Sequence, residues 1–217
     1  MFDTDYSGYM KPGARRLTGS DGVSHTFDPG SFALELILSG GPPPWDRYEQ
    51  LQTPDDAAAW LAGSYLAADL PFAAEDVRIS KPDLTRLKEF RTMLWHVVPA
   101  LIADAKEVPG IAARDLTPAD REYLNSTVGE TPRPELDEHG AIRWQTPITM
   151  RQVLGAAAQD LIEIIGSDRV SRLRMCQGSN CALMFYDTSR PGNRRWCSMQ
   201  RCGNRHKVGN YRTRHND

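Results

Sequence analysis

The chain has 217 residues, 40% of them hydrophobic, and a net charge of −2. This length suits one domain of about 150 residues with a small appendage, and the hydrophobic fraction suffices for a buried core. No run of about 20 apolar residues is present, and the first 20 residues lack the apolar segment of a signal peptide, so we expect a cytoplasmic protein with no membrane partner.

The charge is divided unevenly along the sequence. Residues 169–217 hold eleven Lys or Arg side chains and two acidic ones, a net charge of +9, so the preceding 168 residues carry −11. A basic segment of this kind predicts an anionic partner, and nucleic acid is the commonest one. The alternative is that the basic segment docks on the acidic part of the same chain.

The N-terminal region contains one element whose type is ambiguous. Residues 1–24 are rich in Gly, Ser, Asp and Arg, and we expect a flexible leader there. An apolar run at 32–38 has a length that fits a short strand or a buried helical turn equally well. Gly40 and the residues Gly41–Pro44 then end any regular element.

Three threonines mark helix starts, because a Thr side chain can accept a hydrogen bond from the first helical turn. They are Thr53, Thr117 and Thr149. We expect their helices to extend to about residues 71, 128 and 166. A longer helix is predicted over about residues 82–107, with a kink or break at Pro99. A polar turn ending in Gly140 predicts a β-hairpin within residues 132–144. The predicted class is therefore mainly α (α+β), with a helical domain over residues 25–168.

All four cysteines lie near the C-terminus, as Cys176-x4-Cys181 and Cys197-x4-Cys202. Two short-spaced pairs separated by a hairpin-sized gap are typical of a tetrahedral thiolate site for one zinc ion. Four protein ligands would leave no position for water, so the zinc would be structural. The alternative is two unrelated pairs of buried or redox-active thiols.

The rest of residues 169–217 is patterned like a small finger. A strand is predicted at 183–186, a turn at 188–193, a returning strand at 194–196, and a helix from Ser198 to about Tyr211. This is a treble-clef-like arrangement of a hairpin plus a helix. A segment this short cannot fold on an apolar core alone, so metal binding would supply much of its folding free energy.

Basic and amide side chains in the finger are the candidates for contact with nucleic acid, since Arg can pair with phosphate or guanine and Asn with adenine. They are Arg194, Arg195, Arg201, Asn204, Arg205, Lys207, Arg212 and Arg214. DNA is the first expectation. An RNA-binding or ribosome-associated zinc module remains the alternative, because Tyr186, Trp196 and Tyr211 lie near arginines and could stack on unpaired bases. Trp196 could equally pack the hairpin against the helix.

Catalysis has no support in the sequence, which contains no nucleophile elbow, no phosphate-binding Gly loop and no metal-binding His spacing. We therefore predict no catalytic residue. Arg91 and His96, in the long helix, are candidates for binding an unidentified small-molecule effector. The simpler interpretation of His96 is a histidine at the edge of the core. The helical domain would serve as a sensor or as a homodimer module.

The finger resembles the CGNR zinc fingers of bacterial proteins. The resemblance rests on Cys202-Gly203-Asn204-Arg205, on Arg195–Met199 before it, and on the first cysteine pair followed by Phe185-x-Asp187. In that family the finger follows an ABATE domain, which is described as a stress-induced transcription regulator. The resemblance implies a bacterial, DNA-binding regulator of a stress response that contains one zinc ion.

The helical domain also resembles ABATE domains, through its early apolar run, its helix with Arg91 and its late hairpin. The early run of that family usually contains an Asp, followed by Asn-Thr. Here Glu35 takes the place of the Asp, and Ser39-Gly40 takes the place of Asn-Thr. The resemblance implies that this domain senses a ligand, and these substitutions bear on whether it does so here.

Overall fold

The computed structural model describes residues 12–19 and 22–215, with the backbone alone at 210–215. Within these residues the chain forms six α-helices. They are α1 Phe32–Ile37, α2 Pro54–Ala62, α3 Lys81–Ala100, α4 Pro118–Thr127, α5 Met150–Ile165 and α6 Asn204–His215. Among these described helices, none combines the length and the hydropathy needed to cross a bilayer.

The described residues also form eight short strands, paired into four two-stranded sheets. They are β1 Arg15–Thr18, β2 Ser24–Phe27, β3 Val77–Arg78, β4 Pro134–Leu136, β5 Ile142–Trp144, β6 Ile148–Thr149, β7 Leu173–Met175 and β8 Met184–Tyr186. β3 and β6 are parallel, and the other pairs are antiparallel. The prediction of a mainly helical α+β fold is confirmed.

Helix α5 lies at the centre of the apolar core, where it packs against α1, α3 and α4. Its apolar side chains recur at helical spacing, as expected for a buried face, and Val153 and Leu161 are fully buried. Leu94 of α3 and Leu34 of α1 are buried in the same cluster. The short helix α1 is enclosed on every side, because all six of its residues are buried.

The predicted helix starts are confirmed by their hydrogen bonds. Thr53, Thr117 and Thr149 each cap a helix, and the residue three positions later bonds back to the backbone of the cap. The predicted hairpin is confirmed as β4–β5, with Gly140 in its turn at φ +77°. These features depend on contacts within four residues, which explains why local sequence specifies them.

Two helix lengths were predicted incorrectly. Helix α2 ends at Ala62, before a short 3-10 turn at Tyr65–Ala67. Helix α3 ends at Ala100, so Pro99 lies in its last turn and does not kink a longer helix. A proline leaves the carbonyl four residues before it without a helical partner, and this loss costs least where the helix is already ending.

The ambiguous apolar run is the helix α1. Ser31 caps it by accepting a hydrogen bond from Leu34 N. The carboxylate of Asp160, on α5, accepts hydrogen bonds from Ser31 Oγ at 2.7 Å and from Ala33 N at 2.9 Å. A residue 129 positions away therefore stabilises the start of α1. Sequence periodicity cannot detect such a contact.

The expectation of a flexible leader is wrong for part of residues 1–24. Residues 15–18 and 24–27 pair as the β1–β2 hairpin, and Phe27 is fully buried. Arg15 anchors the hairpin to the body, because its guanidinium pairs with buried Glu35 and lies 3.9 Å from the ring centroid of Trp60. The strands are too short for their alternation to stand out in sequence. Residues 1–11, 20 and 21 lie outside the described residues.

The strand pairing of the finger also differs from the prediction. The strand β8 pairs with β7, which precedes the first cysteine, and residues 194–196 form no strand. Leu173, Met175 and Met184 of this hairpin belong to the same buried cluster as the body helices. The finger is therefore packed into the body and does not depend only on its own small core.

Candidate metal centre and nucleic-acid interface

The four cysteines converge from two separate segments. Cys176 directly follows β7, and Cys181 lies shortly before β8, so the antiparallel pairing of these strands closes the first loop. Cys197 lies in the following loop, and Cys202 lies in a π-helical turn at Met199–Gly203 that leads into α6. Ser198 precedes this turn, and its side chain makes no capping hydrogen bond with the described residues.

The geometry of the thiols fits a metal. The four Sγ atoms all lie within 4.8 Å of one another, and those of Cys181 and Cys197 are 3.8 Å apart. In a tetrahedral site with Zn–S bonds of about 2.3 Å, the sulfur atoms are separated by about 3.8 Å. None of the four forms a disulfide. The cluster therefore fits one structural zinc ion held by four cysteines, with no open coordination position.

A glycine in the first loop makes room for the cluster. A Cβ atom placed on Gly178 would lie 2.9 Å from the Sγ atom of Cys202 and 3.4 Å from the Cβ of Cys181. Any larger residue here would displace a ligand sulfur. Residues 178 and 202 are far apart in sequence, so only the tertiary structure shows this close approach.

Hydrogen bonds among the thiols shift their pKa values in opposite directions. Donation by Cys181 and Cys197 holds the pKa of Cys176 well below its usual range. The hydrogen bond from Cys181 to Cys176 conversely raises the pKa of Cys181. Zinc binds thiolates, so the thiols must lose protons as the metal binds. Zinc affinity is therefore expected to increase with pH.

Asp187 shapes the loop between β8 and Cys197. Its buried carboxylate accepts hydrogen bonds from Ser189 N at 2.9 Å and from Arg194 N at 2.7 Å. Burial opposes ionisation, but these hydrogen bonds outweigh it and lower the pKa of Asp187. The loop is thereby folded around a carboxylate. This explains why the predicted returning strand does not form.

Arg194 is a structural residue, which corrects its assignment as a nucleic-acid contact. Its guanidinium donates to the carbonyl oxygens of Asp28 at 2.9 Å, Trp196 at 3.1 Å and Cys197 at 2.8 Å. The same group lies 4.1 Å from the ring centroid of Phe185. These contacts connect the start of the body to the loop that contains Cys197, and they occupy the hydrogen-bonding fork.

Several other arginines also make contacts inside the protein. Arg172 donates to the carbonyl oxygens of Asp187 and Ser189, and Arg169 pairs with Glu163. Arg201 is half-buried and donates to Val23 O at 2.6 Å, toward the β1–β2 hairpin. This contact connects Arg201 to the hairpin, and a nucleic-acid contact by Arg201 stays a prediction. Some of the basic side chains that give the finger its net charge of +9 thus make contacts that stabilise the fold.

A smaller group of the candidate residues is exposed, at the start of α6 and beside it. Arg195, Asn204, Arg205 and Lys207 form this group, which we call the exposed basic group. Arg195 Nε donates to the side chain of Gln177 at 2.7 Å. The side chains of Arg212 and Arg214 lie outside the described part of the chain, so their roles stay predictions.

Arg91 and His96 do not share a site. The guanidinium of Arg91 is buried and donates to Ser39 Oγ at 3.0 Å and to both carboxylate oxygens of Glu49. The Nδ1 atom of His96 lies 3.0 Å from the carbonyl oxygen of Ala112. Both residues therefore have internal partners. The prediction that together they bind an effector receives no support from this geometry.

Two positions at which the early apolar run differs from the ABATE pattern, Glu35 and Ser39, are buried and have hydrogen-bond partners. Glu35 is fully buried, pairs with Arg15, and accepts a hydrogen bond from Tyr65 N at 2.8 Å. Burial raises the pKa of Glu35 to about 7, and the ion pair with Arg15 only partly opposes this. Ser39 bonds with Arg91. These polar groups stabilise the junction between the early run and its neighbours.

Comparison with known families agrees with this arrangement. A model of the CGNR zinc finger matches residues 172–215, and a model of the ABATE family, described as "Putative stress-induced transcription regulator", matches residues 30–168. No curated protein matches the chain significantly. The ABATE match covers more than half of the chain and precedes the finger, in the order that the resemblance implied. The chain therefore belongs to the ABATE family, with a zinc finger of the CGNR type after the ABATE domain.

Proposed function

We propose that the protein is a DNA-binding transcription regulator that contacts DNA through the exposed basic group of the finger. The supporting observation is that the basic residues of the finger fall into two sets, one engaged inside the protein and one exposed. Arg194 and Arg201 are engaged inside the protein, whereas Arg195, Asn204, Arg205 and Lys207 are exposed beside the metal centre. Phosphate contacts by such side chains position a protein on DNA, and Asn or Arg can read base edges.

The metal would act as a scaffold in this function. Cys202 and Gly203 are buried in the π-helical turn, and Asn204 begins α6 directly after them. Holding Cys202 on zinc therefore fixes the start of the helix that presents Asn204, Arg205 and Lys207. A structural zinc site provides much of the folding free energy of a small finger, so we expect DNA binding to require the metal.

RNA is the weaker alternative for this surface. Base stacking requires an aromatic face that is available to the ligand. Trp196 is half-buried, and its ring lies 4.8 Å from that of His206. This contact favours a packing role for Trp196. Tyr186 is half-buried too, and its ring lies 5.1 Å from the guanidinium of Arg169.

The proposal is tested by fluorescence anisotropy with the zinc-loaded full chain and duplexes selected from random DNA. Phosphate contacts by the three cations Arg195, Arg205 and Lys207 would give a log–log salt slope of about −2.7, and a zinc chelator should abolish binding. Lys207→Ala should weaken binding and reduce the slope by about one. Affinity that chelation leaves unchanged, or a slope near zero, would contradict the proposal. Stronger binding of single-stranded RNA than of duplex DNA would favour the alternative.

A further inference from the structure

A cleft lies between the body and the finger. Its volume is about 1090 Å³, and its walls come from the β1–β2 hairpin, the segment after α1, the helix α3, the first cysteine loop and α6. Ligand sites commonly occupy clefts of this size between structural units. None of the residues predicted as effector contacts lines it. The cleft depends on tertiary structure, because its walls are far apart in sequence.

The body side of the cleft presents a rigid aromatic surface. Trp45 stacks on Trp95 with the ring centroids 5.2 Å apart and the planes inclined by 20°. Tyr48 lies next to Trp45 and is 43% exposed. Both indole N–H groups are anchored, that of Trp45 to Pro109 O and that of Trp95 to Gly40 O. The surface is therefore held in place before any ligand arrives, which lowers the entropic cost of binding.

Small residues beside the tryptophans permit this arrangement. A Cβ atom on Gly41 would lie 2.5 Å from Trp95 Nε1 and 3.0 Å from Trp45 Cβ. Glycine is thus needed where the chain passes the stacked rings. The Gly40-Gly41 pair, which sequence analysis treated as the end of an element, also lets the backbone approach Trp95 and accept its hydrogen bond.

The charge of the cleft is opposite to that of the body around it. Among the described residues, the lining contains four arginines and neither Asp nor Glu. They are Arg16, Arg47, Arg201 and Arg205. Residues 1–168 carry a net charge of −11, so a lining free of acids is unexpected. Four thiolates and one zinc ion contribute about −2 at the finger wall, which leaves the lining cationic.

We propose that this cleft binds a planar aromatic anion, a ring system with a carboxylate group. The ring would stack beside Trp45 and Tyr48, and the carboxylate would pair with Arg47, whose guanidinium lies 4.9 Å from the ring centroid of Tyr48. A positive group next to an aromatic surface fits a ligand that joins a flat apolar part to a negative one. His25 also lines the cleft, and its Nε2 has no hydrogen-bond partner among the described residues.

Occupancy of the cleft would affect the finger directly. One wall comes from the first cysteine loop, including Gly178 and Cys181, and another from Trp196, Arg205 and His206. A ligand that fills the cleft would therefore also contact the segments that hold zinc and begin α6. This regulatory step rests on the proposed DNA-binding function, whereas ligand binding itself does not. We expect a filled cleft to change DNA affinity about fivefold or more.

The binding step is tested by isothermal titration calorimetry of 2-naphthoate into the zinc-loaded full chain, without DNA. We expect one site with a dissociation constant of roughly 0.1–1 mM. Neutral 2-naphthalenemethanol has the same ring system without the charge, and it should bind at least about tenfold more weakly. Absence of binding at 10-fold higher concentration (about 10 mM), or equal affinity for the neutral analogue, would overturn the proposal.

Two substitutions of exposed cleft residues test whether 2-naphthoate binds in this cleft. Arg47→Gln and Tyr48→Ala should each weaken 2-naphthoate about five- to tenfold. Arg151→Gln is the matched control, because that side chain is 76% exposed and lies outside the cleft. Unchanged affinity in both cleft variants would place the ligand elsewhere and overturn the proposal. Circular dichroism of each variant checks that the fold is retained.

Three further outcomes distinguish failure of this proposal, of the DNA-binding function and of the regulatory step. If single-stranded oligothymidylate binds in a manner that depends on Arg47 and Tyr48 and displaces 2-naphthoate, the cleft is a nucleic-acid surface and the proposal fails. If 2-naphthoate binds as expected but no duplex is bound, the cleft proposal stands and the DNA-binding function fails. If DNA affinity is the same with and without 2-naphthoate, the regulatory step is overturned.

Discussion

Lys106 Nζ donates a hydrogen bond to the carbonyl oxygen of Cys181 at 2.8 Å. The same ammonium donates to Gly178 O at 2.5 Å. Lys106 belongs to the body, in the loop after α3, and is half-buried there. One side chain of the body therefore satisfies two carbonyl groups of the first cysteine loop. The body and the metal centre are connected by this contact, which no spacing rule in the sequence indicates.

The first prediction concerns this lysine. Lys106→Met should lower the stability of the finger by about 1–2 kcal/mol, because two hydrogen bonds from a charged but partly solvated donor are lost. We expect zinc to be bound about tenfold more weakly, measured by competition with a chromogenic chelator. Lys81→Met is the control, since Lys81 is exposed at the start of α3. Equal zinc affinity in the two variants would show that the contact does not support the metal site.

The second prediction separates folding from DNA contact within the finger. Arg194→Ala should destabilise the protein by about 2–3 kcal/mol, because it removes three hydrogen bonds and the contact with Phe185. Lys207→Ala also removes a positive charge, but from an exposed position, and should change stability by less than about 0.5 kcal/mol. Denaturant unfolding measures both. Equal effects on stability would contradict the distinction between structural and exposed basic residues.

The third prediction is a pH dependence caused by Glu35. Burial raises the pKa of this group to about 7 in the folded protein, above its ordinary value of 4.5. The folded state therefore binds the proton more tightly, and the stabilisation is complete below pH 4.5 and is lost as pH rises through about 7. The loss amounts to about 3 kcal/mol.

The measurement compares wild type with Glu35→Gln over this pH range. Glutamine does not titrate, so the difference in unfolding free energy between the two proteins should change by about 3 kcal/mol between pH 4.5 and pH 8. Titration of the cysteines affects both proteins and cancels in this difference. A difference that does not change with pH would show that Glu35 titrates near its ordinary pKa in the fold.

The fourth prediction concerns Gly155, in the middle of α5. Helix propensity favours alanine over glycine by about 1 kcal/mol, so sequence alone predicts that Gly155→Ala is stabilising. In the fold, a Cβ atom there would lie 1.7 Å from Glu130 O, where the end of α4 packs against α5. We expect a loss of about 1–3 kcal/mol in thermal or denaturant unfolding.

Gly209→Ala is the matched control for this substitution. Gly209 lies in α6, and among the described residues no atom outside its own helix backbone is within 4 Å of a Cβ atom placed there. The helix propensity of alanine should then act alone and increase the helical signal in circular dichroism. If Gly155→Ala were as favourable as Gly209→Ala, the close contact between α5 and Glu130 would not exist in solution.

Local sequence predicted the elements whose contacts are local. The caps at Thr53, Thr117 and Thr149 and the turn at Gly140 were predicted correctly, because each depends on residues within a few positions. The grouping of the cysteines was also predictable, since a four-thiolate site needs two pairs at suitable spacing. The β1–β2 hairpin was missed, because it is held by distant contacts such as the pair between Arg15 and Glu35.

Residue roles were harder to predict than elements. Arg194 and Arg195 are adjacent and chemically identical, yet one is engaged by three carbonyl groups and the other is exposed. The difference arises because the carboxylate of Asp187 holds the backbone of Arg194 in the loop, which directs its side chain toward Asp28 and Phe185. Charge counting treats both arginines alike.

The sequence by itself determined the zinc ligands, the main helices and the concentration of positive charge in the finger, since these depend on residue type and short spacing. Tertiary structure alone decided which charges remain for a partner and where a ligand could bind. Lys106 donates a hydrogen bond to Gly178 in the first cysteine loop, 72 positions away in sequence. Trp45, in the segment between α1 and α3, stacks on Trp95 of α3. Such contacts arise because distant segments pack around one core, so they cannot be predicted from the periodicity of a single segment.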